Sequence, residues 1–138
     1  SPLVPSSAEC IMAALAHLSV LLPHFGIFVP LLLWIVNSSQ APFAAYQAKQ
    51  AFFFQLFDIV FTWLIVFLAF VFGLFSIGAI VGGSTSGAVA FGSGVLSMLL
   101  LICLLWIGPI IYGVVGAIHS SSGRDFRYWL IGEWVQPN

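Results

Sequence analysis

An all-α, polytopic membrane protein is the fold class this sequence predicts, and three observations predict it. Apolar residues make up 62% of the chain and charged residues only 5%, where an ordinary soluble domain carries about 25% charged residues. No charged side chain lies between Glu9 and Lys49, or between Asp58 and Arg124. Three stretches are long and apolar enough to cross a hydrocarbon core of about 30 Å at 1.5 Å per residue. So few ionisable groups cannot cover a soluble surface, so the surrounding solvent is mostly lipid. A single membrane domain over residues 1–138 is the economical organisation. The net charge of −1 excludes nucleic acid as a partner, since that needs clustered Lys and Arg.

The first span is expected at about 11–36. "LLPHFGIFVP" places Pro23, Gly26 and Pro30 close together there, and proline removes a backbone donor and clashes with the preceding turn. Two courses follow: one kinked crossing, which is preferred, or two short halves that dip in and return. Ser1 to Glu9 carries no Lys or Arg, unlike a signal peptide, so this run is expected to stay as structure. "NSSQAP", Asn37 to Pro42, reads as a turn opening a new helix. The second span, about 52–81, is the cleanest. "GGSTSGAVAFGSG", Gly82 to Gly94, reads as a flexible polar loop, and the third span follows at about 95–118 with Pro109 inside it. The tail, 122–136, mixes Phe126, Tyr128, Trp129 and Trp134 with Arg124, Arg127 and Glu133, the pattern of an interfacial segment in the headgroup belt. No internal repeat is visible.

Orientation follows from Lys and Arg alone. Lys49 lies between the first two spans and Arg124 and Arg127 follow the third, so the 37–50 loop and the C-terminus are expected on the cytoplasmic face of a bacterial inner or intracytoplasmic membrane. The 82–94 loop and Glu9 are expected on the other side; a first segment that returns would instead keep the N-terminus inside.

At 100° per residue, Gln47, Gln50, Gln55, Asp58 and Thr62 fall within about 140° of arc, a polar stripe on a greasy helix, with Lys49 pointing away. Helix from Phe43 to Val81 would run roughly 58 Å, so its first turns lie in headgroups or on a partner. A carboxylate near the hydrocarbon boundary must be hydrated, protonated or paired. The expected partner of Asp58 is Arg127 or Arg124, which would dock the tail on the stripe.

"SSQAPFAAYQAKQAFFFQ", "GAIHSSSGRDFRYWL" and the opening "IMAALAHLSVLL" together resemble a family of small bacterial membrane proteins. That family is related to the channel-like subunit of the chloroplast inner-envelope (Tic) protein translocon, and magnetosome membrane proteins belong to it. Pro42, Phe43, Ala48, Lys49, Gln50, Ala51, Phe54, Gln55, Gly123, Arg127 and Tyr128 match the family pattern. Gln47 stands where the family has His, Phe53 where it has Asn, and Trp129 where it has Pro. The resemblance implies a helical membrane domain and, more weakly, translocation.

His17 and His24 are seven apart, a spacing that allows pigment or haem ligation on a regular helix; Pro23 interrupts that helix, and packing histidines are the expectation. Cys10 and Cys103 make no redox or metal spacing. No nucleophile–base set, metal site or phosphate-cradling loop is visible, so no cofactor, no metal and no enzymatic activity are expected. Ala69 with Gly73, and Gly78 with Gly82, have the small-residue spacing that lets helices approach. The expected function is a non-enzymatic integral subunit packing against other membrane-protein subunits of a larger complex. A translocon or pore component and a pigment- or haem-binding subunit are the alternatives. The interaction residues are expected to be Gln47, Lys49, Gln50, Gln55, Asp58, Arg124, Arg127 and Tyr128.

Overall fold

The computed structural model describes residues 4–135, and every regular element among them is helical. The elements are α1 (Ser7–Leu18), α2 (Phe28–Asn37), α3 (Pro42–Val81), α4 (Thr85–Ser121) and the single turn α5 (Ile131–Trp134), with 3-10 turns at Ser19–Leu21 and Phe25–Ile27. Gln136, the last residue assigned to the tail, lies outside the described residues. The chain folds as two compact units: residues up to Asp58 together with those from Pro109 onward, and Ile59–Gly108.

In the first unit, α1 opens on a capping box. Ser6 Oγ accepts from the Glu9 amide at 3.2 Å while Glu9 Oε2 accepts from the Ser6 amide at 3.0 Å, so each residue satisfies an otherwise orphaned donor. The second carboxylate oxygen of Glu9 accepts from the Phe43 amide at 3.3 Å. Phe43 follows Pro42, which occupies the first position of α3, where its missing N–H costs nothing; Glu9 meets the positive end of that helix. One carboxylate thus serves two helix starts. α2, packed against α1, ends at Asn37, only four residues before α3. Both ends of the α1–α2 segment therefore lie beside the start of α3, and the segment is a hairpin. This corrects the preferred single kinked crossing and places Glu9 beside the Lys49 end of α3 rather than away from it.

The physical reason lies at the bend. α1 stops at Leu18, and around Pro23 the Phe25 amide donates to the Pro23 carbonyl at 2.7 Å and the Gly26 amide to Leu22 at 2.8 Å. His24 takes φ 64° and ψ −45°, the rare and strained kind of γ-turn, and it reverses the chain. A Cβ on Gly26 would run into the Ser19 carbonyl, so only glycine closes this turn. Pro30 sits in the first turn of α2, where no intrahelical partner is lost, and bends nothing.

The hairpin meets α3 along an alanine seam: Ala16, Ala48 and Ala51 are fully buried, with Leu33 and Trp34 packed on them. Small side chains let the backbones approach closely. From α4, Gly113 and Gly116 cross His17; a Cβ on Gly116 would stand 3.1 Å from the imidazole Cγ. α4 ends at Ser121 and is capped by Gly123, φ +71°, where the Gly123 amide returns to Ser120 at 3.0 Å and Arg124 to His119 at 3.1 Å. That is a Schellman cap, which needs a left-handed residue.

In the second unit, α3 ends on the same device. Gly83 (φ +82°) donates to Ile80 and Ser84 to Ala79, and Ser84 Oγ accepts from the Gly87 amide at 3.1 Å to start α4. The expected 82–94 loop is therefore a three-residue turn, and 85–94 is helix. Two of its glycines serve packing: a Cβ on Gly87 would stand 2.8 Å from Ala79 Cβ, and Gly94 faces the Phe72 ring. Within the chain, Gly73 and Gly78 have nothing within 4 Å of a Cβ position. An apolar cleft of about 540 Å³ is lined by Phe70, Phe72, Phe91, Val95, Met98 and Leu101 among others.

Two helices, α3 and α4, are long and apolar enough to cross a membrane. Their most apolar windows are only 6% and 0% buried, whereas the core helix of a soluble protein would be covered. A helix apolar all round and left uncovered has lipid as its natural surroundings.

Candidate functional site: a buried polar network on the glutamine stripe

The polar stripe of α3 is neither a solvated face nor a lipid-facing one. Gln47 and Gln50 are fully buried and Gln55 nearly so, each amide engaged by the hairpin, the tail or both. Gln47 Nε2 donates to Asp125 Oδ1 at 3.1 Å, which turns its Oε1 toward His17 Nε2, 2.9 Å away. His17 Nε2 therefore carries the proton and donates. Nδ1 is left as an acceptor, and it receives the Tyr128 hydroxyl at 2.8 Å. The result is one directed chain, Tyr128 to His17 to Gln47 to Asp125, and Asp125 also accepts from Arg127 Nε at 2.9 Å.

Burial keeps this chain neutral at its centre. The His17 pKa is pushed down to about 4 because its charged form has lost water, against a smaller opposing effect of the Gln47 hydrogen bond. The Tyr128 phenol is pushed up by the same desolvation. Among the described residues no buried side-chain polar atom is left without a hydrogen-bond partner, as expected where an unpaired group would be expensive.

Gln50 reads the tail backbone: its Oε1 accepts from the Tyr128 amide at 3.2 Å and its Nε2 donates to the Phe126 carbonyl at 3.0 Å. Gln55 Nε2 donates to Ser19 Oγ at 2.8 Å, and Ser19 passes its own proton to the Ala16 carbonyl at 2.7 Å. Tyr46 donates to the Gly132 carbonyl at 3.3 Å, and the Trp129 amide donates to Tyr112 Oη at 2.9 Å. Around the polar chain, Tyr128 stacks on Phe54 at 4.1 Å and meets Phe126 and Tyr112 edge-on.

The match to a family model then decides what kind of chain this is: residues 8–135 fit the model described as the magnetosome magnetite crystal formation protein family. The chain belongs to that family. No curated protein and no solved structure matches it. Membership in the magnetosome family agrees with the two uncovered apolar helices and places the chain in a membrane, in contact with lipid.

Of the residues the sequence marks in this magnetosome-family chain, Gln47, Gln50, Tyr128 and His17 come together in one network, and Gln55 makes a separate bond to Ser19. Arg127 reaches the network only through Asp125, and Asp58, Lys49 and Arg124 do not join it. Arg127 pairs with Asp125, two residues away, on the exposed side, so it is not the partner of Asp58; Arg124 is exposed on the tail. Asp58 is half-buried, and the charge that acts on it is His24 of the hairpin bend. Lys49 points away from the stripe and lies over the Trp34 ring, 5.5 Å from its centre. His17 and His24 do not share a helix face, because α1 stops at Leu18, and both nitrogens of His17 are engaged within the chain. Among the described residues no three His, Cys, Asp or Glu side chains converge on a metal site. Cys10 is buried and Cys103 exposed, both as free thiols.

Glu9, Ser19, Tyr112 and Asp125 are the functional partners that sequence reasoning missed. Only Glu9 had a usable signal, the capping-box spacing from Ser6. Asp125, between two arginines, reads as part of a charged surface.

A second finding has no counterpart in the sequence. The tail repeats the hairpin bend: the Ile131 amide donates to Trp129 at 2.9 Å and Gly132 to Tyr128 at 2.8 Å, with Leu130 at φ 67° and ψ −46°. Each bend closes on a glycine set against a glutamine of α3, Gly26 near Gln55 Oε1 and Gly132 near Gln50 Oε1. Only the final glycine is common to "LPHFG" and "YWLIG", too little to show as a repeat.

Proposed function

We propose that the chain is a non-enzymatic structural component of the magnetosome membrane, an accessory subunit that packs against other membrane-protein subunits in magnetite crystal formation. One observation carries this reading. The groups best suited to chemistry, His17, Tyr128, Gln47 and Gln50, are buried and bonded to one another, whereas the surface offered outward is apolar. A surface of that kind is read by contact. Fourteen Phe and five Trp residues supply rigid contact area at low entropic cost. The membrane is an intracytoplasmic or inner membrane. Lys49, Arg124 and Arg127 set the cytoplasmic face, and the hairpin keeps the N-terminal residues on that face too.

The Tic-like pore reading lacks such support: the amides of Gln47, Gln50 and Gln55 face the hairpin and the tail rather than an open path. A pigment or haem ligated by His17 would have to displace Tyr128 or Gln47. The test of the accessory role is migration on a native gel in mild detergent. Comigration of the tagged chain with other membrane proteins, reproduced in the reverse direction from one of them, is expected. A band at the size of the single chain under every mild condition would overturn it.

A further inference from the structure

The hairpin and the tail both pack on the opening turns of α3. Along α3, the hairpin is tied at Phe43 by Glu9 and at Gln55 by Ser19, twelve residues or roughly 18 Å apart. A hydrocarbon core of about 30 Å is not crossed by that depth, and part of it lies in headgroups. The tail is tied at Tyr46 and Gln50 and carries Trp134 as deep as Phe57, with the two rings 6.4 Å apart.

Their inward faces hold the buried polar bonds; outward, large apolar side chains stand among the exposed His24, Arg124, Arg127 and Glu133, the mixture of an interfacial segment. Leu21, Leu22, Phe25 and Phe28 project from the hairpin, with Phe25 78% exposed; Trp129 and Trp134 project from the tail at 80% and 79%. At Phe57 this surface joins the exposed apolar belt of α3, where Leu56 and Phe57 are uncovered. The belt is in lipid, so the surface continuous with it is covered by lipid of the same leaflet. The two bends, at His24 and Leu130, carry these tips.

We infer that the chain is built to load one leaflet and to prefer strongly curved bilayers, with the leaflet that holds the hairpin and tail on the convex side. α3 and α4 are long enough to add area to both leaflets. α1 and α2 add theirs to one only: two helices of about 10 Å diameter displace roughly 160 Å² there, and the tail adds more. A bilayer relieves unequal leaflet area by bending toward the fuller side, which is why one-sided insertions respond to curvature. This inference needs membrane residence but no partner complex, so it stands or falls apart from the accessory role.

The test uses the full chain, dye-labelled and reconstituted at low density in giant phosphatidylcholine vesicles from which narrow tubes are pulled. A membrane-impermeant quencher separates the two orientations. Molecules with the tail outside should be enriched on the tube about threefold or more, and those with the tail inside should be depleted. Equal density on tube and vesicle for both orientations would overturn the inference. So would enrichment that ignores orientation or vanishes on dilution, since either points to a second copy covering the face. Combining Trp129→Ser, Leu130→Ser and Trp134→Ser should lower the enrichment while Cys10 stays protected from thiol reagents, which reports an intact hairpin and cap. Unchanged enrichment in that variant would remove the tail from the proposal.

Discussion

Removing the hydroxyl of Tyr128 tests whether the buried chain holds the tail. Tyr128→Phe keeps the ring and its 4.1 Å stacking on Phe54 and deletes one O–H. His17 Nδ1 then has no donor. A tautomer switch does not repair this: it would set a bare Nε2 against Gln47 Oε1, and flipping Gln47 would set that oxygen against the Asp125 carboxylate. A buried acceptor stranded in this way costs about 1–3 kcal/mol, and with a tenfold change for every 1.4 kcal/mol a middle value of about 2 kcal/mol favours tail release roughly 30-fold. Cys10 is the natural reporter, since it is buried and a Cβ on Gly123 would stand 3.5 Å from its Sγ, so releasing the segment after α4 uncovers it. In a Cys103→Ser background, the labelling rate of Cys10 by a small thiol reagent should rise by that factor. Tyr112→Phe, which loses a bond to the exposed Trp129 amide, should raise it by threefold or less. A rate within twofold of the parent for Tyr128→Phe, or equal effects of the two variants, would refute the reasoning.

Further outcomes follow from the same geometry. The His17 pKa lies near 4 in the folded chain against an ordinary 6.5, so the opened state binds more protons between those values; stability is full above 6.5 and falls as pH drops toward 4, by up to about 3 kcal/mol. Hydrogen exchange at the Tyr128 amide, corrected for its intrinsic rate, should show this loss, and His17→Gln should flatten it. Gly26→Ala should cost more than about 3 kcal/mol because its Cβ meets the Ser19 backbone, whereas Gly92→Ala, in open space within α4, should be neutral or stabilise by up to about 1 kcal/mol; thermal unfolding in detergent separates the two. Single cysteines at Ser6 and Ser121 should share one accessibility to an impermeant reagent in intact cells, opposite to one at Ser86; Ser6 siding with Ser86 would restore a full first crossing.

The class of the molecule was legible because composition alone forces it: a chain with so few charges has nowhere to fold except in lipid. The stripe on α3 was legible too, since 100° per residue gathers Gln47, Gln50 and Gln55 whatever covers them. Its partners were not. Asp58 and Arg127 looked like complements on charge counting, but Asp125 lies two residues from Arg127 and takes it first. Residues 11–36 were long enough to span, and length does not report that Pro23 and Gly26 permit a reversal that the Ser19–Gln55 and Glu9–Phe43 bonds then hold against α3. The glycines of 82–94 carried opposite meanings, loop or close packing, and only the ring of Phe72 and the methyl of Ala79 decide between them.

The distance in sequence between the two ends of the polar chain has a consequence for how the protein is made. His17 and Tyr128 are 111 residues apart, and a ribosome adding about 5–20 residues per second leaves roughly 6–22 s between them. Throughout that interval His17 Nδ1 lacks its donor and Gln50 has no tail backbone to hold. A hairpin carrying the unpaired His17 is costly to bury in lipid, so it should stay at the water boundary during synthesis, after α3 and α4 have partitioned. Docking of the tail is then the event that seats it, and newly made chains should pass through a stage, resolvable by pulse labelling, in which both membrane spans are in place and Cys10 is still open to reagent.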